Sequence, residues 1–222
     1  MTLKPATKSC MTRRKISAAA PSGVGERSLI YIPIIHAAVD MGALTGVVQQ
    51  LKIRKLGRKG LARNISLVDR LWTEIENTIG SMPLLYKKVR LYQDGLPVCS
   101  REVEIVAELA KAGARNHQLL IRLYEQGATI MGTESSELLV KEYMLIKETL
   151  ASGGPVGTTS IGARQDSLLK MRDMSIAQRI NETLCAGETG ILFIGMLHRV
   201  APWLDKDIRV TYPLDIKSLS LK

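Results

Sequence analysis

The stretch GILFIGMLHRV, residues 190–200, drives eight apolar or glycine residues straight into a histidine and an arginine. A short run of this kind, rich in Ile and Leu, fits a strand covered on both faces, and helices packed on a parallel sheet supply that cover. A second run, LIYIPIIHAAVDMG at 29–42, also stops at a histidine, His36, and the chain has three histidines in all. Outward from these two, KKVRLYQDGLP (87–97) reads as a strand ending in a Gly/Pro turn, ATIMGTES (128–135) as another, and DIRVTY (207–212) as the last. Helical segments lie between them. One is expected from about 42 to 53, then a basic Gly-punctuated turn RKLGRKG, then a helix over 64–79 with Ile65, Val68, Leu71, Trp72, Ile75 and Ile79 on one side. REVEIVAELAKAG, closed by Gly113, and HQLLIRLYEQGAT follow, with further helices over 137–150 and 166–186. Strands alternating with helices predict a mostly parallel sheet flanked by helices in a single α/β domain.

Composition agrees with that class. Of 222 residues 45% are hydrophobic, and with a single Phe the core must be built of Leu, Ile, Val, Met and Ala. The net charge of +10 is local: eleven of the 31 bases sit in acid-free blocks at 1–25 and 52–63, leaving 20 bases against 21 acids elsewhere. Residues 1–27 read as a basic disordered tail, and 28–222 as the domain. The tail's Arg, Ser and Ala content also resembles a transit peptide, and a start at Met11 is a third reading. Cys10, Cys99 and Cys185 have no metal spacing and no disulfide frame, which fits a reducing, cytoplasmic setting. No run approaches the about 20 apolar residues of a transmembrane helix. ASGGPVGTTSIG at 151–162 is the most loop-like internal segment, with a plain connection and a flexible lid as its two readings.

In an open parallel sheet the loops beyond the carboxyl ends of the strands converge, and ligands bind there. The expected strands end at His36 with Asp40 behind it, at Gln93 and Asp94, at Thr133 and Glu134, and at His198 and Arg199. Two imidazoles and a carboxylate, His36, Glu134 and His198, make a shell for a divalent metal such as Zn or Mn, which lowers the pKa of a bound water. Each residue also has a plain structural account: Asp94 as turn chemistry in YQDGLP, Glu134 as a helix cap, the histidines as hydrogen-bonded strand ends. His117, beside Asn116 and Gln118 on a helix, reads as solvated. Asp173 falls in the middle of the apolar stripe Leu169, Ile176, Ala177, Ile180 and Leu184, so it needs a partner; Arg172 supplies one or reaches the rim to hold an anionic ligand group.

With Arg172-Asp173, Ile176-Ala177 and Gly195-Met196-Leu197-His198 in order, the chain resembles the TraB/Tiki, ChaN and erythromycin-esterase superfamily over about residues 28–212. Its first histidine motif reads Pro33-Ile34-Ile35-His36, without the glycine usual there. The resemblance implies an α/β fold with a site between the two histidine motifs, and activities of three kinds: metal-dependent peptide cleavage, ester hydrolysis and haem binding. The expectation is a hydrolase of a small-molecule or peptide substrate, with His36, Glu134 and His198 on a metal, Asp94 as base or auxiliary ligand, Arg172 orienting an anionic group or the oxyanion, and Asp40 and Arg199 at the substrate. The competing class is a non-catalytic binder of haem or a small anion. Nucleic-acid binding through KIRKLGRKGLAR comes last, because no aromatic side chain interrupts the bases to stack on nucleotides.

Overall fold

In the computed structural model, which describes residues 25–35, 45–151 and 159–214, the GILFIG run is the central strand of a five-stranded, all-parallel sheet. The strands are β1 (Arg27–Ile34), β2 (Val89–Gln93), β3 (Thr129–Met131), β4 (Thr189–Gly195) and β5 (Ile208–Thr211), in the spatial order β3-β2-β4-β1-β5. Register runs from Ser28 opposite Thr189 to Ile34 opposite Gly195, and from Val89 opposite Thr189 to Gln93 opposite Phe193. The carboxyl ends of β1, β2 and β4 therefore finish together on one rim, the place where a ligand site is expected in this class.

Side chains alternate across a strand, and here the alternation sorts them between two apolar clusters. Ile30, Ile32, Ile34, Leu91, Ile191 and Phe193 face α1 (Thr45–Gly80), α2 (Glu102–Lys111) and α3 (Arg115–Glu125). Leu29, Tyr31, Tyr92, Leu192 and Ile194 face α5 (Thr159–Thr183), whose Ile176, Ala177 and Ile180 are fully buried. α4 (Ser136–Ala151) packs along α5. At Gly190, early in β4, two core side chains close in: a Cβ there would stand 2.7 Å from Leu29 Cδ1 and 3.2 Å from Tyr92 Cε2, so a larger residue would have to displace them.

Three expectations change. The basic RKLGRKG segment is no turn: α1 is one helix of 36 residues that passes through Gly57 and Gly60. A glycine inside a helix costs about 1 kcal/mol relative to Ala, and the Lys, Arg and Leu around these two are good helix formers that offset it. Ile65, placed on the buried stripe, is 51% exposed, whereas Val68, Leu71, Trp72, Ile75 and Ile79 are buried. α5 begins at Thr159, so the loop-like segment is shorter than its composition suggests, and residues 152–158 lie outside the described part. Among the described residues no helix is long and apolar enough to cross a membrane.

Candidate functional site

The rim carries a cavity of about 570 Å³. Ile34, Ile35, Leu139, Ile146, Leu169 and Leu197 give it an apolar wall, and its polar side consists of Gln93, Asp94, Asn116, His117, Glu142, Arg172 and His198. The turn after β2 brings Asp94 there: Gly95 adopts a positive φ of 77°, and the Asp94 amide donates to Phe193 O at 2.9 Å, extending the β2–β4 pairing by one residue. After β3 the chain stays extended, and Glu134 forms an isolated parallel bridge with Pro97. Thr133 ties this segment to β2, its hydroxyl accepting from the Gln93 amide at 2.9 Å.

Arg172, from α5, knots these ends together. Its Nε donates to Glu134 Oε2 at 2.7 Å, and Nη2 donates to Glu134 Oε1 at 2.7 Å and to Asp94 Oδ1 at 2.8 Å. Nη1 donates to Glu142 on α4. Glu134 Oε1 also accepts the Gly95 amide at 2.7 Å, and Asp94 Oδ2 accepts the Gly195 amide at 2.8 Å. Every contact is charge-assisted, and the fork across Glu134 is two-pronged, a geometry that lysine cannot reproduce. Burial works against the Arg172 charge, but its hydrogen bonds to Glu134 and the attraction of Glu134, Asp94 and Glu142 outweigh it and hold its pKa above the usual arginine value. For Glu134 burial wins instead: with Asp94 adding repulsion, the carboxyl titrates above the usual range despite Arg172.

A single residue step along α5, about 100° of rotation, is enough to separate two roles. Asp173 is 5% exposed and takes His198 as its partner, with Nδ1 at 2.6 Å from Oδ1, while Oδ2 accepts the Arg199 amide at 2.9 Å. The partner that the apolar stripe demands is thus the histidine, not Arg172. His198 is held from behind as well, because the Tyr31 hydroxyl donates to its carbonyl at 3.2 Å and its own amide donates to Gly195 O at 3.0 Å. Burial pushes the Tyr31 hydroxyl up to about 12, so it stays neutral there. With Nδ1–H given to Asp173, the imidazole presents Nε2 toward Asp94, whose Oδ2 lies 3.5 Å away.

Of the expected site residues, Asp94, Glu134, Arg172 and His198 converge. Arg199 is exposed and contributes only its backbone amide to Asp173. His36 and Asp40 lie outside the described residues. Of the expected metal ligands, His198 keeps Nε2 facing Asp94, but Glu134 has a guanidinium across both oxygens, where a cation would have to sit, and does not fit that role. Among the described residues no group of three or more His, Cys, Asp or Glu is placed to hold a metal ion.

His117 is the correction in the other direction. Expected in solvent, it is 6% exposed on the cavity wall, with Nδ1 at 2.8 Å from Asn116 Oδ1. The signal is helical phase: His117 stands three residues before Leu120, in the core, and four before Ile121, which packs against it. Asn116 Nδ2 and Gln93 Oε1 have no hydrogen-bond partner among the described residues. A buried polar group left so costs about 1–3 kcal/mol. No protein-family model, curated protein or solved structure matches this chain.

Proposed function

We propose that the chain is a hydrolase of an ester or peptide-type carbonyl bond, acting on a small-molecule or peptide substrate in the rim cavity, with His198 as the group that moves the proton. The observation that carries this reading is the buried Asp173–His198 pair, 2.6 Å apart, on the wall of a cavity at the strand ends. Asp173 fixes the tautomer and orientation, so Nε2 takes a proton from the attacking water and returns it to the leaving group. Asp94 stabilises the imidazolium as it forms. Arg172 is a positioning residue here: it holds Asp94 and Glu134 in place, rather than orienting an anionic substrate group.

The test is hydrolysis of p-nitrophenyl butyrate and leucine p-nitroanilide by the wild-type chain and by His198→Ala and Asp173→Asn. We expect turnover of at least one, falling about 10²- to 10⁴-fold in His198→Ala and less in Asp173→Asn. Turnover that survives His198→Ala sinks the assignment.

A second reading keeps the divalent metal, and one observation favours it: His198 Nε2 and Asp94 Oδ2 face each other at 3.5 Å on the cavity wall. Asp94 and His198, with His36, would hold such an ion, which supplies Lewis acidity. Stoichiometric Zn or Mn in the purified protein, lost in His198→Ala, favours this version. A Soret band with no turnover of any ester or amide favours the non-catalytic haem binder instead.

A further inference from the structure

The two unpartnered amides on the cavity wall carry a ligand assignment. Gln93 closes β2 and Asn116 stands in the first turn of α3; they are 1% and 3% exposed, and both line the cavity. Gln93 spends its Nε2 on the Asp94 carbonyl at 3.1 Å, which fixes its orientation and leaves Oε1 as an acceptor with no donor among the described residues. Asn116 engages its Oδ1 with His117, which leaves Nδ2 as a donor with no acceptor among them. Buried polar groups are nearly always paired, so two orphans on one cavity, one of each sign, point to a ligand that brings the missing partners.

The pair selects by complementarity. A carboxylate brings acceptors only, and it also meets Asp94 and Glu142 on the same wall. An ammonium brings donors only and leaves Asn116 unanswered. A group with one N–H and one C=O answers both. Apart from the pair and the charged side that carries Asp94, Glu142, Arg172 and His198, the wall is formed by Ile35, Leu139, Ile146, Leu169 and Leu197, with Tyr143 among them. We propose that the cavity binds a neutral carboxamide or lactam carried on an apolar body, with Gln93 Oε1 accepting its N–H and Asn116 Nδ2 donating to its carbonyl. The proposal shares its cavity with the hydrolase reading and does not depend on bond cleavage.

The test is calorimetric titration of the full chain with four probes of equal tail: hexanamide, hexanoate, hexan-1-ol and hexylamine. Caprolactam serves as the lactam arm. Hexanamide is expected to bind at least about tenfold more tightly than each of the other three, the difference one unmatched buried polar group makes. Asn116→Asp, which replaces the donor by an acceptor, is expected to abolish that preference, as is Gln93→Met, which removes the acceptor. If Gln93→Met does not fold, Asn116→Asp carries the test alone. Equal binding of amide and alcohol, tighter binding of hexylamine, a preference that persists in Asn116→Asp, or no binding of any probe each overturns the proposal. Amide binding without hydrolysis sinks the hydrolase and leaves this site, and turnover without amide preference does the reverse.

Discussion

Both rims of the sheet are held by arginine–carboxylate contacts, yet they are built on opposite principles. At the amino-terminal rim Arg27, at the start of β1, bonds Asp205 at 2.9 Å and Asp207 at 2.7 Å, carboxylates that are 41% and 67% exposed. Arg90, early in β2, pairs with Glu188 just before β4, and the Cys185 amide donates to the same Glu188 at 2.8 Å. Water reaches these groups, and the contacts clamp strand starts without storing charge. At the carboxyl-terminal rim Arg172 is 4% exposed and meets three carboxylates, with Asp94 and Glu134 as buried as itself. Charge that is both buried and unbalanced is expensive to keep, and nothing about clamping strands requires it. The contrast teaches that the fold needs one of these rims and that chemistry is the better account of the other.

The most damaging way to probe the contrast is to remove each arginine. Arg172→Ala strands the buried Asp94 and Glu134 without a counter-charge, and we expect a loss of about 3–5 kcal/mol in urea unfolding. Arg90→Ala leaves Glu188 able to take water, and about 1–2 kcal/mol is expected there. Equal losses would erase the distinction between the rims.

A smaller effect isolates the backbone that delivers Glu134. A Cβ on Gly132 would lie 2.6 Å from Glu102 Oε1, 2.7 Å from Val98 Cα and 2.8 Å from Pro97 O. Two of these three are backbone atoms, so Gly132→Ala must shift the Pro97–Glu134 bridge rather than rotate a side chain. We expect about 1–3 kcal/mol of destabilisation, together with lost turnover, because Glu134 and Arg172 move with the bridge. Unchanged stability would mean that the carboxyl rim is softer than its contacts imply.

How much of these rims the sequence discloses depends on the range of the signal. The strands were legible because GILFIG and LIYIPI are local apolar runs, and their parallel direction, though not their order in the sheet, followed from the alternation with helices. Asp94, Glu134 and His198 were legible as strand-end residues, since topology alone sends strand ends to one rim. Their pairing was not. Arg172 and Asp173 are adjacent on one helix, and which of them reaches Glu134 and which reaches His198 depends on rotations of 100° per residue against a sheet whose register no single segment specifies. His117 departs from its polar surroundings because helical phase, not polarity, sets which face of α3 it joins. Gly57 and Gly60 form no turn because a glycine marks one only where the neighbouring residues do not favour helix.

The gentlest test compares the two rims by pH alone. Glu134 holds its proton more tightly in the folded chain than an ordinary glutamic acid, because burial, helped by Asp94, outweighs Arg172. Between the ordinary value of 4.5 and its raised value the folded state therefore binds more protons at this position than the unfolded state. Its contribution to stability is complete below 4.5 and is lost as pH rises through the folded value. Glu188 behaves oppositely: burial opposes its charge, but the hydrogen bonds from Arg90 and the Cys185 amide prevail and lower its pKa. Its contribution is present above the ordinary value and disappears as pH falls through the lowered one. Subtracting the unfolding free energy of Glu134→Gln from that of the wild type should give a difference that falls with rising pH, and the same subtraction for Glu188→Gln one that rises. Slopes of the same sign would show that the two rims handle buried charge alike.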